Sequence, residues 1–294
     1  MRTVTRFSTL ERAEHIAVMA LFVVLALTGF PQKFYDHRWA QLLTGWLGGV
    51  DTARWFHRAA GLAFGALLAA HVLRLVASVV KRTTSFSMVP TRRDFADAVQ
   101  TIRYYLRLGD APRFDHFDYR QKFEYWGMLL GSAVVVGTGL ALLFPIQTAQ
   151  WLPGQLIPAA YVAHSQEGLM AFLVVIVWHI YNAHLNPDVF PFDRSIFTGE
   201  ISEHRLQHEH AIEYERLTQG PGAPASDNPY RRLSWPVQLV VAPIAGSAFA
   251  MLLPAIGVGV VLKAAFDALT GRRARPAQGG TPETADPGQE RKAG

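Results

Sequence analysis

Residues 54–80 read RWFHRAAGLAFGALLAAHVLRLVASVV, and residues 160–185 read AYVAHSQEGLMAFLVVIVWHIYNAHL. Each run is apolar and long enough to cross a hydrocarbon core as a helix, which takes about 20 residues. Each also carries a pair of imidazoles: His57 and His71, fourteen residues apart, and His164 and His179, fifteen apart. Fourteen residues make nearly four turns, so His57 and His71 share a helix face about 21 Å apart; the second pair is slightly rotated and spans about 22 Å. An ionisable ring at such depth is costly unless something satisfies it, which makes each of the four a candidate functional residue. Packed together, the two helices put His57 level with His164 and His71 level with His179. Neutral imidazole is a good axial ligand for haem iron, and two per iron leave no open position. The expectation is two bis-histidine haem sites stacked across a bilayer.

Three further apolar blocks, near 14–34, 123–145 and 236–266, bring the number of candidate spans to five. The fold expected is an all-α integral membrane protein: a four-helix haem-binding bundle within residues 1–217, a linker at 218–235, a fifth hydrophobic helix at 236–270 and a disordered tail at 271–294. Trp39, Trp46, Trp55, Tyr125, Trp126, Trp151 and Trp235 stand near span ends, as interfacial aromatic belts predict. The first block is followed by Pro31, Gln32 and Lys33, with no small-residue cleavage site, and reads as a span. Basic residues crowd the N-terminus (Arg2, Arg6, Arg12) and the 81–122 connection, whereas 146–159 has no charge. The positive-inside rule therefore puts the N-terminus in the cytoplasm of a cell inner membrane. The fifth block conflicts with that rule, and Pro243 and Pro254 interrupt it, so it is expected either as a fifth transmembrane helix or as a kinked or re-entrant segment.

Half of the 294 residues are hydrophobic and none is cysteine. That excludes thioether-bound haem, cysteine-ligated iron–sulfur clusters and disulfides, so any haem is b-type. The net charge of +5 sits in loops beside apolar blocks, which fits a membrane protein in contact with lipid and not a nucleic-acid binder.

Between the spans, 91–108 has Phe95, Val99, Ile102 and Leu106 on one side and is expected as an amphipathic interfacial helix. The acidic, histidine-rich run from Glu200 to Leu217 is expected as one helix capped near Ser202. His37 and His116 fall in polar loops. His204, His208 and His210, with Glu209 nearby, have helical spacing for a metal but fit a solvated face better.

Arg58 directly after His57, and Arg74 one turn beyond His71, are candidate partners for haem propionates, because Arg gives carboxylates bidentate contact. Gly61, Gly65, Gly131, Gly137 and Gly139 could let a flat macrocycle approach the backbone, although small residues at helix contacts occur without any cofactor.

The run from Arg54 through His57-Arg58 to His71-Val-Leu-Arg74 resembles the second helix of cytochrome b and b6, and the fifteen-residue step from His164 to His179 is similar to that of b6. Across residues 6–217 the chain also resembles the cytochrome b subunits of formate dehydrogenase and nickel–iron hydrogenase. That second likeness lies in Arg12-x-x-His15, Thr28-Gly29, His179-Ile-Tyr-Asn-Ala, Thr198-Gly199-x-Ile-Ser202, Glu209-His210 and Tyr214. The two resemblances disagree on the inner ligand: His71 in one, His15 in the other. The matched spacing favours His57/His164 and His71/His179, with His15 and His184 as alternative ligands or as ligands of a third haem.

Both resemblances imply a subunit that is not a full enzyme alone. It would carry electrons between a quinone pool and a redox partner, an iron–sulfur protein or multihaem cytochrome c. They imply a quinone near the inner haem, where Arg82, Asp94, Asn182 and His184 lie. The rivals are a stand-alone cytochrome b561-like reductase and a haem-free anchor or transporter.

Overall fold

The computed structural model describes residues 2–187, 189–218 and 228–270. Among them, five helices are long and apolar enough to cross a membrane. Helix α1 (Thr9–Lys33) opens with a capping box, in which the Ser8 hydroxyl accepts from the Glu11 N–H and the Glu11 carboxylate accepts from the Ser8 N–H at 2.8 Å. A short α2 (Arg38–Trp46) leads to α3 (Val50–Val80). The expected amphipathic helix is α4 (Arg92–Tyr105), and α5 (Tyr119–Leu143) follows, capped by the Asp118 carboxylate. After a short α6 (Pro145–Trp151), α7 begins as an α-helix (Leu156–Leu173) and continues as π-helix through Val174–His179 and Tyr181–Leu185.

The four long helices α1, α3, α5 and α7 close a ring, with α1 on α3, α3 on α5, α5 on α7 and α7 on α1. Helices α3 and α7 therefore lie diagonally across the bundle and run in the same direction. Helices α2 and α6 sit at one end, called here the far end. The N-terminus, the 81–118 connection and the polar tail meet at the other, the polar end.

The polar end holds structure that the sequence does not announce. Residues Thr3–Thr5 form β1, which pairs antiparallel with β2 (Glu200–Ser202), Val4 opposite Ile201. Gly199 ends the short α8 (Ser195–Thr198) in a left-handed conformation, and its carbonyl accepts from the Arg6 N–H at 2.7 Å. The expected single helix over 200–217 is instead two, α9 (Glu203–Glu209) capped by Ser202 and α10 (Ala211–Thr218), broken at His210. The reason is that the His210 side chain is buried and bonded inward.

Helix α11 (Trp235–Leu269) is continuous through Pro243 and Pro254 and is long and apolar enough to cross a membrane. Prolines are tolerated in a long apolar helix where neighbours and local adjustments satisfy the freed carbonyls. Its buried residues Gln238, Ala242, Gly246, Phe249 and Leu253 recur every three or four positions, which is one helix face. That face meets the polar end: Ala242 joins Val79, Phe86, Val89 and Trp126, while Phe249 and Leu253 join Ala98 and Tyr119. The apolar side of α4 is thus turned toward protein, with Phe95 edge-on to Phe249 at 4.9 Å. Asp94 and Lys122 fix α4 to α5 through a buried ion pair of 2.7 Å. Residues 219–227 of the linker expected at 218–235, and all of the tail expected at 271–294, lie outside the described residues.

A side chain at Gly246 has no room, because its Cβ would fall 1.9 Å from Trp126 Cδ2. Trp126 is itself held by donation from its indole N–H to the Met88 carbonyl at 2.9 Å. Gly246→Val should therefore destabilise the docking of α11 by about 1–3 kcal/mol, the usual range for overpacking. Thermal unfolding of detergent-solubilised protein should show a lower midpoint than wild type.

Candidate functional site: two histidine pairs at membrane depth

At the far-end pair, His57 of α3 and His164 of α7 face each other across the bundle. Their ring centroids are 6.1 Å apart and their planes nearly perpendicular, at 82°. Each ring spends one nitrogen on the protein. His57 Nδ1 lies 3.0 Å from Thr28 Oγ1, and His164 Nδ1 lies 2.9 Å from the Val135 carbonyl and 3.3 Å from Thr138 Oγ1. The Thr28 hydroxyl already donates to the Val24 carbonyl at 2.7 Å, and Thr138 to Val134 at 2.6 Å. Both hydroxyls must therefore accept, so the proton sits on Nδ1 of each imidazole and Nε2 keeps its lone pair. Gly29 and Gly139 make room for the rings: an added Cβ would stand 2.9 Å from His57 Cε1 or 3.1 Å from His164 Cε1.

Toward the polar end, His179 of α7 faces His15 of α1, with ring centroids 6.2 Å apart and planes at 40°. His179 donates from Nδ1 to Glu124 Oε2 of α5 at 2.9 Å. His15 Nδ1 is buried without a hydrogen-bond partner. The π-helical stretch explains how a fifteen-residue step can serve two stacked sites. A π turn takes one residue more than an α turn, so the segment ending at His179 absorbs the extra residue and keeps that ring on the face of His164.

The expected pairing of His71 with His179 is replaced in this arrangement. His71 has both nitrogens engaged, Nδ1 with Glu14 Oε2 and Nε2 with the Tyr125 hydroxyl, each at 3.1 Å. Arg74 closes the cluster, donating from Nε to Glu14 Oε1 at 3.0 Å. Spacing fixes the depth of His71 but not which neighbour its face meets, and that neighbour is the α1–α5 side. His184 stacks on Phe192 with centroids 4.4 Å apart. Arg58 is exposed at the far end. Of the residues expected near a quinone, Asp94 is committed to Lys122, and the Asn182 amide donates to the Trp178 carbonyl at 2.8 Å.

Sequence reasoning missed Glu14 and Glu124, and took Tyr125 for an interfacial aromatic. The available signal was the rule already applied to the histidines, that an ionisable residue inside an apolar span needs a partner. It also missed the cluster behind His116 and His210: His116 lies in a loop, as expected, but His210 is buried, which corrects the expectation that it belongs to a solvated helix face. Buried Arg6 pairs with Glu213 at 2.6 Å and stands 3.1 Å from His210 Nε2, while His210 Nδ1 donates to the Asp115 carbonyl at 2.7 Å. His116 completes the cluster against Glu213. Among the described residues, no group of three or more metal-ligating side chains is gathered at His204, His208, Glu209 or elsewhere.

Two imidazoles that share one metal ion through bonds of about 2 Å place their ring centres roughly 6 Å apart. Metal-bound histidines also characteristically give their other N–H to a carboxylate or carbonyl. Both pairs meet the first condition; His164 and His179 meet the second, His57 gives its N–H to a threonine hydroxyl and His15 Nδ1 has no partner, and the residues present fit haem. A ring of apolar helices around paired imidazoles defines an all-α membrane protein of the b-type cytochrome class. Residues 6–190 match the family model described as prokaryotic cytochrome b561, and the chain belongs to that family. It is thus a multi-pass membrane cytochrome that takes part in electron transfer with b-type haem. Among curated proteins none matches the chain.

Two expected outcomes follow from this geometry. Gly29→Val should push the His57 ring out of place and lower the haem content of purified protein relative to wild type, read as haem absorbance per chain. The second concerns the tail. Burial, then the Arg6 charge, pushes the His210 imidazole from 6.5 down to about 3. The unfolded chain then takes up that proton first, so stability from this group is complete above about pH 6.5 and declines as pH falls toward 3. The melting midpoint should drop between about pH 7 and pH 5, and drop less in His210→Asn.

Proposed function

We propose that the chain is the membrane electron-transfer subunit of an oxidoreductase. Two b-type haems would be held by His57/His164 and by His15/His179, linking a quinone pool to a redox partner. The observation that carries this is the pair of ring separations, 6.1 and 6.2 Å, at two depths of one bundle. Bound there, a b-type haem supplies a one-electron redox centre with no open position for oxygen.

Two haems fit better than three. His15 is matched to His179, His184 stacks on Phe192, and both nitrogens of His71 are spent. Arg58, exposed beside His57, remains a partner for a propionate, whereas Arg74 is occupied by Glu14.

The polar end faces the cytoplasm in this reading, supported by the basic residues of the N-terminus and the 81–122 connection. The quinone would exchange there. Oxidising a quinol releases two protons with its two electrons, and Glu14, His71 and Tyr125 form a hydrogen-bonded set able to pass protons. Glu14 and Tyr125 are next in sequence to His15 and to Glu124, which bonds His179, so the set adjoins that pair. The redox partner, an iron–sulfur protein or multihaem cytochrome c, would dock at the far end.

The test is a dithionite-reduced minus oxidised spectrum with pyridine haemochrome quantitation. Wild type should carry two b haems per chain, His57→Ala and His15→Ala should each lose one, and His71→Ala should keep both. Loss of a haem in His71→Ala, with none lost in His15→Ala, would overturn the ligand set. A colourless, folded wild type grown with ample haem would overturn the electron-transfer role.

A further inference from the structure

The two histidine pairs are backed by different chemistry. At the far end the acceptors behind the rings are neutral, the Thr28 hydroxyl and the Val135 carbonyl. At the polar-end pair, His179 donates to a carboxylate, Glu124 Oε2, at 2.9 Å. The Glu124 side chain is only 17% exposed, so bulk water does little to screen it. The other acid at this depth, Glu14, is offset by the Arg74 guanidinium, whereas Glu124 meets the imidazole of His179.

We propose that Glu124 is a positioning residue that makes the polar-end site the harder of the two to reduce, and so gives the pair of sites a built-in direction. This rests on the haem ligation proposed above. The carboxylate accepts the Nδ1 proton of His179, raises electron density at Nε2 and makes that nitrogen a stronger donor. A nearby anion in a low-dielectric interior also favours the oxidised, more positive state of whatever the imidazole binds. Behind His57 and His164 the ring protons go to neutral oxygens, so no carboxylate strengthens those nitrogens in this way. With no bond or proton changing on the protein, passage of one electron from the polar-end site to the far-end site is then favourable. Electrons delivered by a quinol at the polar end would run toward the far-end partner.

The experiment is an optically monitored potentiometric measurement on the full-length, haem-loaded chain in detergent. Wild type should show two b-type components of different midpoint potential. Glu124→Gln should retain both haems and raise the lower midpoint by about tenfold in the reduction equilibrium, about 59 mV for one electron. The upper midpoint should stay in place, and Glu124→Asp, which keeps the charge, should restore much of the difference. Two unchanged midpoints in fully loaded Glu124→Gln would overturn the proposal.

A second measurement does not depend on that variant folding. The lower-potential component should be the one missing from His15→Ala, and the higher the one missing from His57→Ala. The reverse assignment would overturn the role of Glu124 while leaving the ligand set intact. If both histidine variants kept two haems, the ligand set itself would fail and the proposal with it.

Discussion

Everything in this bundle follows from the cost of placing an imidazole where water is absent. A buried ring nitrogen without a partner is expensive, and hydrocarbon offers none. The protein meets that cost for three of the facing rings in one way. Nδ1 is given to a threonine oxygen, a backbone carbonyl or a carboxylate, and Nε2 is not spent on that bond. That single choice fixes the tautomer, orients the ring and leaves a lone pair for a metal. His71 illustrates the opposite outcome. With its nitrogens 3.1 Å from Glu14 and from Tyr125, it is part of a hydrogen-bonded network.

Backbone geometry supports the side chains at the closest approaches. Gly29 and Gly139 are glycine because the rings of His57 and His164 occupy the space a Cβ would need. The π-helical segment of α7 serves the same end by rotation, bringing His179 onto the face of His164. At the polar end, β1 against β2 and the Arg6–Glu213–His210 cluster tie the start of α1 to the tail. The helix that carries His15 is thereby anchored at the end nearest its ligand position. Helix α11 adds to that end, with Gly246 receiving Trp126 and Phe249 joining the apolar side of α4.

The fold class and the five spans were legible in the chain, because they rest on length and apolarity; of the four facing rings, His57, His164 and His179 stood in the favoured set and His15 only as an alternative. The amphipathic character of 92–105 and the cap at Ser202 were legible for the same local reasons. The sheet between residues 3–5 and 200–202 was not, since three-residue strands carry no periodicity of their own. The break at His210 was hidden as well, because it arises from a side chain bonded to residues about a hundred or two hundred positions away.

What the sequence determined by itself is that paired imidazoles lie at two depths of an apolar helical bundle, since depth is rise per residue times spacing. What only the tertiary structure decided is which imidazole each one meets. Depth is a property of one helix, but facing is a property of how four helices rotate and close into a ring. His15 and His71 both lie at the polar-end depth, and the packing of α1 against α7 and of α3 against α5 turned the first toward His179 and the second toward Tyr125.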